Sequence, residues 1–299
     1  MVRLVAVAGV ACISFAAIFV RLAGVSPNTA AFFRGVYALP ILLVLWLATR
    51  SRAPRTARLR GLAVGSGFFL ALDFTFWHRG IDLIGAGLAT VLVNLQVVFV
   101  ALLAWWIHGE RPRRALWAVL PIVFAGVVLA SGVGRADAYG EAPLVGAVLS
   151  TGAALCYAGF ILVFRQANRL QTHPSGPMLD ATLGLAIGAL VFGLSDPALD
   201  LTPHWPAHGW LLALALLPQA LGWICLGIAL PRLPAVETST LLLLQPVGTM
   251  AWGALFLGES PSHIQWLGAA LVLAGVGLLG VYRARQVEAA PPDPMPRGS

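Results

Sequence analysis

Long runs of apolar residues, broken by short polar segments, form the main pattern of the chain. The breaks consist of turn-forming residues or charges, as in Ser26-Pro27-Asn28 and Ser260-Pro261-Ser262. A helix of about 20 apolar residues crosses a hydrocarbon core about 30 Å thick. The pattern therefore predicts an all-α membrane protein with ten transmembrane helices, over residues 3–22, 28–48, 59–79, 85–107, 115–132, 143–164, 178–195, 207–230, 236–257 and 263–282.

The composition favours a membrane protein over a soluble one. Apolar residues make up 59% of the chain and charged residues 10%, whereas soluble domains average about 45–50% and about 25%. Cys12, Cys156 and Cys225 lie within apolar runs and share no metal-ligand spacing with one another or with a histidine. The sequence also lacks the nucleotide-binding pattern G-x-x-x-x-G-K-S/T. We therefore expect neither a metal nor another cofactor.

The basic residues predict the orientation of the chain, and all 19 of them are arginines. If the N-terminus is cytoplasmic, 15 arginines fall on the cytoplasmic side and 4 fall on the other side. Positively charged residues concentrate in cytoplasmic loops. We therefore expect both termini in the cytoplasm. The net charge of +7 is explained by this topology, so no nucleic-acid partner is expected.

An internal repeat appears when the chain is shifted by 149 positions. Gly109-Glu110 then falls on Gly258-Glu259, and Gln96 falls on Gln245. The offset spans five helices, which is an odd number, so the second copy must enter the membrane from the opposite face. Inverted repeats are common in secondary transporters, with the solute site near the midplane. The predicted units are two inverted five-helix repeats and a disordered cytoplasmic tail, over residues 1–138, 139–286 and 287–299.

Two five-helix copies, each with Gly-Glu at the end of its fourth helix, resemble the EamA family of the drug/metabolite transporter superfamily. Arg34 early in the second helix and Gln245-Pro246 in the ninth also fit that family. The resemblance is nearest to bacterial exporters of aromatic and other amino acids, and it implies outward movement of small metabolites across the inner membrane. The chain departs from the family pattern at Val97, where proline is common, and at Asp180, where the second copy lacks an arginine matching Arg34.

Polar residues deep in the predicted helices are candidates for a central cavity. Gln96 lies eleven residues into the fourth run and Gln245 nine residues into the ninth, which places both about 14–16 Å deep. Since an unpaired amide in hydrocarbon costs several kcal/mol, each side chain should face protein or water. They are predicted to bind substrate, together with Asn94. The alternative is that they form hydrogen bonds that only hold the helices together.

Aromatic and polar residues of the third, sixth and eighth runs are further candidates for a pocket. Such a mixture suits a zwitterion with an apolar side chain. Pro218 is expected to bend the eighth helix, because it lacks a backbone donor. The alternative is ordinary packing or contact with lipid. The predicted substrate-binding residues of this group are Gln219, Trp223, Phe74, Trp77 and Tyr157.

Ionisable residues within the predicted spans form a third group. Arg34 and Asp73 each lie six residues from the same outer boundary, about 9 Å deep. Charges at such depth usually face the protein interior and have partners. We therefore predict an ion pair between them, with a structural, gating or proton-linked role. His78 lies near the outer surface, where it could titrate near neutral pH or could simply be interfacial.

The leading functional interpretation is a secondary transporter that exports amino acids or similar small metabolites. It would work by alternating access, as a monomer in the lipid bilayer. Export of cationic drugs is an alternative, for which only Asp73 could supply the embedded carboxylate. An intramembrane enzyme is less favoured, because the sequence has no H-E-x-x-H, no G-x-S-x-G and no paired catalytic carboxylates. A passive channel is the remaining alternative.

Overall fold

The computed structural model describes residues 1–49, 55–109, 114–169, 175–229, 232–233 and 235–289. In these ranges the regular secondary structure is helical, and no strand occurs. Glu110 and tail residues 290–299, both named in the sequence predictions, lie outside the described residues. The helices are α1 (Val2–Ser14), α2 (Ala16–Ala23), α3 (Pro27–Ala48), α4 (Ala57–Ile84), α5 (Ala86–Val93), α6 (Gln96–His108), α7 (Arg114–Ala130), α8 (Pro143–Asn168), α9 (Ser175–Gly193), α10 (Ala207–Leu214), a π-helical segment (Ala215–Gly222), α11 (Trp223–Ala229), α12 (Ala235–Leu257) and α13 (His263–Ala289).

Within the described ranges, eight segments are long and apolar enough to cross a membrane. Two shorter apolar helices, Arg114–Ala130 and Leu241–Leu257, fall in the fifth and ninth predicted runs. The prediction of an all-helical, multi-pass membrane protein is therefore confirmed. The count of ten crossings remains a prediction, because these two helices are shorter than the other eight.

The third helix extends further than its apolar run. The run was predicted to end at residue 79, whereas α4 continues to Ile84. Arg79 and Asp82, which interrupt the run, are solvent-exposed helical residues, and Asp82 pairs with Arg21 at 3.0 Å. Asp73 therefore lies eleven residues before the end of its helix, about 16 Å along the axis.

Two runs that were predicted as single helices are interrupted. The first divides at Phe15 into α1 and α2, and the fourth divides at Asn94 and Leu95 into α5 and α6. At the first break, Thr249 Oγ1 donates to the Ser14 carbonyl at 2.9 Å. Trp252 Nε1 also donates to Ser14 Oγ at 2.8 Å. Irregular backbone at membrane depth needs such partners, because lipid supplies none.

The eighth run is distorted around its proline. Ala215–Gly222 forms a π-helical segment that contains Pro218. Proline lacks the backbone donor that a regular α-helix requires at an interior position, and π-helical turns often occur at functional sites. The wider turn places Gln219 in the interior, where its side chain is 2% exposed.

Close backbone contact between α4 and α9 depends on two glycines. A Cβ atom added at Gly67 would clash with the Ala181 carbonyl oxygen, and one added at Gly184 would clash with the Val64 carbonyl oxygen. Small residues allow membrane helices to approach closely, and dispersion contacts then stabilise the pair. The residues at these positions are therefore limited by space.

A reciprocal contact joins α7 to α13. A Cβ atom added at Gly126 would lie 2.9 Å from Val272 Cγ2, and one added at Gly275 would lie 2.5 Å from Val123 Cγ2. Gly275 is the 149-residue counterpart of Gly126, and Val272 is the counterpart of Val123. The same contact is thus made twice with the two halves exchanged.

Glu259 connects the end of α12 to the start of α5. Its carboxylate accepts hydrogen bonds from the Ala86 N–H at 2.5 Å and the Gly87 N–H at 3.0 Å. The first N–H groups of a helix have no partner within the helix, and a carboxylate there is favoured by the helix dipole. The second Gly-Glu pair of the repeat therefore caps a helix of the first half.

Replacing either α4–α9 glycine should destabilise the protein. Gly67→Ala and Gly184→Ala should lower the melting temperature by several degrees, because overpacking costs about 1–3 kcal/mol. Thermal unfolding of the detergent-purified protein provides the measurement. Gly61→Ala is the matched control, since no atom lies within 4 Å of its added Cβ and alanine favours a helix. A Gly67→Ala protein as stable as the control would contradict the close contact.

Removing the charge of Glu259 should also destabilise the protein. An amide at this position offers only one acceptor oxygen, so Glu259→Gln leaves one backbone N–H without a partner, at a cost of about 1–3 kcal/mol. Burial raises the pKa of Glu259, so melting is best measured at pH 8. The control is Glu141→Gln, an exposed position. Equal melting of the two variants would show that the cap contributes nothing.

Candidate functional site

Arg34 lies at the centre of a buried polar cluster. It occupies α3 and is 4% exposed. Its Nε atom donates to Gln219 Oε1 at 2.8 Å, and its guanidinium carbon lies 3.9 Å from the centroid of the Phe74 ring. The hydrogen bond crosses from α3 to the π-helical segment, and a cation above an aromatic ring is stabilised by the ring quadrupole. Two side chains therefore fix the position of the guanidinium.

Asp73 lies next to Phe74 in α4 and is 3% exposed. It interacts electrostatically with Arg34, but no ion pair within 4.0 Å joins these two described residues. Asp73 Oδ1 and Arg34 Nη1 are both buried without a hydrogen-bond partner. The structure thus brings the two residues of the predicted ion pair into one cluster without a hydrogen bond or an ion pair between them.

Trp77 and His78 extend the cluster along α4. Their ring centroids lie 5.3 Å apart, and the His78 ring is stacked on Phe74 at 5.7 Å. His78 Nδ1 lies 3.2 Å from the Pro27 carbonyl oxygen, and because a carbonyl can only accept, Nδ1 must be the donor. In the neutral ring, Nε2 is then an acceptor. This atom and the donor Trp77 Nε1 are both buried without a partner.

Tyr157 of α8 is half-buried beside the charges. It interacts electrostatically with Asp73 and Arg34, and its ring is stacked on Phe160 with centroids 5.6 Å apart. The cluster, called here the Arg34 cluster, therefore comprises seven of the residues predicted from sequence: Arg34, Asp73, Phe74, Trp77, His78, Tyr157 and Gln219.

The other predicted residues make no described contact with this cluster. Asn94 Nδ2 donates to the Thr90 carbonyl of its own helix at 2.8 Å. Gln96 begins α6, and its Oε1 is buried without a partner. The Gln245 side chain is half-buried in α12. Trp223 begins α11 and is 37% exposed.

Several buried polar contacts were not predicted. Asn28 Nδ2 donates to Asp196 Oδ2 at 3.0 Å and accepts from Thr75 Oγ1 at 2.9 Å. Tyr37 Oη lies 2.6 Å from His208 Nδ1. The partners in each pair or triad are far apart in sequence, and no pattern of spacing relates them. A polar residue inside an apolar run was the only available signal, and it does not identify its partner.

The Arg34 cluster combines the kinds of group that small polar solutes require. It presents a cation and an anion, each with a free polar atom, beside an indole donor, an imidazole acceptor and aromatic rings. Pockets for small ligands combine aromatic walls with a few such placed groups. No group of three or more potential metal ligands occurs within the described ranges.

Two similar proteins are named as amino-acid exporters. The threonine/homoserine exporter RhtA of Salmonella typhimurium is 29% identical over 257 residues, covering 83% of this chain and 80% of its own length. A probable terminal-alkyne amino-acid exporter of Streptantibioticus cattleyicolor is 27% identical and covers 76% and 75%. A crystal structure of a protein with 18% identity covers 96% of this chain and 98% of its own, with a TM-score of 0.62, which shows a shared fold.

The model of the EamA-like transporter family matches the chain twice, once in each half. The matched residues are 2–132 and 144–281. The two matches cover nearly all of the described helices, and they agree with the resemblance drawn from the repeated Gly-Glu pairs. The chain is therefore a member of the EamA-like transporter family.

Proposed function

We propose that the protein is a secondary transporter that exports amino acids or closely similar small metabolites. The main support is the Arg34 cluster, in which the first half contributes a buried cation and anion and the second half contributes Gln219 through a 2.8 Å hydrogen bond. Ionisable residues within membrane helices usually mark a solute pathway. Membership of a transporter family and the amino-acid exporters among the relatives support the same conclusion.

The proposed topology has ten crossings in two inverted halves, with both termini in the cytoplasm of a bacterial cell. The reciprocal α7–α13 contact supports a twofold relation between the halves. The asymmetric distribution of arginine supports the orientation. Each half can then contribute to a shared central site, so a monomer is sufficient for transport.

Alternating access requires contacts at each end of the bundle that open in turn. At the proposed cytoplasmic end, Arg3 pairs with Glu237 at 2.7 Å and Arg55 pairs with Asp180. At the opposite end, Glu259 caps α5. All three contacts join a residue of the first half to one of the second. Opening one set while the other stays closed would expose the Arg34 cluster to one side at a time.

Counterflow in proteoliposomes tests this function. Labelled amino acids, beginning with threonine and homoserine, would be offered outside vesicles that contain the unlabelled compound or buffer alone. A carrier predicts saturable uptake that is accelerated by trapped substrate. Flux without saturation or acceleration would indicate a channel. If no amino acid is carried, the substrate class is wrong, and organic cations would be tested next.

Preference for hydroxylated solutes should depend on Trp77. Its free Nε1 donor and the free Nε2 acceptor of His78 match a hydroxyl group, which both accepts and donates. Trp77→Phe keeps an aromatic ring but removes the donor. The uptake ratio of threonine to its isostere valine should then fall about three- to tenfold, the value of one hydrogen bond.

Trp106→Phe is the matched control for that experiment, because Trp106 is 82% exposed and lies outside the cluster. The control should keep the threonine-to-valine ratio of the unmodified protein. An unchanged ratio in Trp77→Phe would exclude the indole nitrogen from recognition of the side chain.

A further inference from the structure

The two charges of the Arg34 cluster form no ion pair, although one polar atom of each side chain has no hydrogen-bond partner. A buried cation and anion normally approach until they form hydrogen bonds, because an unpaired buried charge is very costly. Here Gln219 accepts from Arg34 Nε, and Phe74 lies under the guanidinium. These contacts fix the guanidinium and leave Arg34 Nη1 and Asp73 Oδ1 unpartnered. The pair is therefore incomplete as a structural ion pair.

The missing partners have defined chemistry. Arg34 Nη1 requires an acceptor, and an anion is best, because guanidinium groups favour carboxylates. Asp73 Oδ1 requires a donor, and an ammonium group is best, because charge-assisted hydrogen bonds are about twice as strong as neutral ones. One α-amino acid carries both groups on a single carbon. An anion alone would leave Asp73 unpaired, and a cation alone would leave Arg34 unpaired.

We propose that Arg34 binds the α-carboxylate of the transported amino acid and that Asp73 binds its α-ammonium group. This inference rests on the proposed function and names the residues that recognise the substrate class. Each charge of the zwitterion meets an opposite charge, and the filled site has no net charge. We call the α-carboxylate and α-ammonium groups together the head group. The side chain of the amino acid then lies beyond it, along Trp77 and His78.

Gln219 and Phe74 are positioning residues in this arrangement. They hold the guanidinium before the substrate arrives, so little side-chain entropy is lost on binding. Gln219 lies in the π-helical segment of the second half, whereas Arg34, Asp73 and Phe74 belong to the first. Movement of the π-helical segment relative to α3 would therefore change how firmly the guanidinium is held.

The test compares an amino acid with two analogues that each lack one charge. The N-acetyl derivative lacks the ammonium group, and the amide lacks the carboxylate. In the unmodified protein, both analogues should compete with labelled threonine at least about tenfold less well than threonine itself. Arg34→Gln should no longer distinguish the amino acid from its amide. Asp73→Asn should no longer distinguish it from the N-acetyl derivative.

Arg21→Gln and Asp82→Asn are the matched controls. They remove the same kinds of charge from an exposed pair on α2 and α4, and they should keep the analogue ratios of the unmodified protein. If Arg34 and Asp73 have only a structural role, their replacement would lower the amount or rate of transport. It would not change the preference of the protein among threonine and the two analogues. If a variant does not transport, ligand-induced thermal stabilisation of the purified protein gives the same ratios.

The outcomes separate this inference from the proposed function. If the unmodified protein carries no amino acid, the proposed function fails. The function stands and the head-group assignment is overturned if the protein carries amino acids but binds both analogues as well as it binds threonine. The same conclusion follows if Arg34→Gln and Asp73→Asn keep the analogue ratios of the unmodified protein. If the pH dependence of transport disappears in Asp73→Asn while the analogue ratios stay unchanged, Asp73 acts in proton coupling. This result would also overturn the head-group assignment.

Discussion

The cost of an unpaired polar group in apolar surroundings is the constraint on which the rest of this structure depends. In a membrane, backbone and side-chain groups must find partners within the protein, because lipid offers none. The interrupted first span meets this requirement with Thr249 and Trp252 of α12. The start of α5 meets it with Glu259. In both places the partner comes from the other half of the chain, so the requirement also holds the two halves together.

The Arg34 cluster is where this requirement is least satisfied. Buried polar atoms on four of its side chains have no partner, namely Arg34 Nη1, Asp73 Oδ1, Trp77 Nε1 and His78 Nε2. Other charges are paired: Arg21 pairs with Asp82 at an exposed position, and Arg55 pairs with Asp180 near a helix start. A transporter must keep such groups available, because a site satisfied by its own protein has no affinity left for a solute. The unpartnered polar atoms of the cluster are thus compatible with its proposed use.

Some parts of the bundle are closely packed, and others have an irregular backbone. The α4–α9 and α7–α13 contacts are close and depend on glycine, which suits rigid units. The breaks at Phe15 and Asn94 and the π-helical turn at Pro218 lie in the first, fourth and eighth spans, where the backbone is least regular. The eighth span supplies Gln219 to the cluster. Each close pair joins a helix of the first half to a helix of the second, so a conformational change would be absorbed by the irregular spans.

The sequence by itself determined the membrane class, the approximate positions of the helices, the duplicated Gly-Glu pairs and the residue types of the site, because apolar length, charge placement and periodic identity are local properties of the chain. The seven residues of the Arg34 cluster were among its eleven candidates, since polar residues inside apolar runs are few, but the sequence did not separate them from the four that lie elsewhere. Only the tertiary structure decided that Gln219 rather than Asp73 bonds to Arg34, that α4 extends to Ile84 and that Trp223 is partly exposed. Those outcomes depend on how helices far apart in sequence pack against one another, and spacing along one chain carries no record of that geometry.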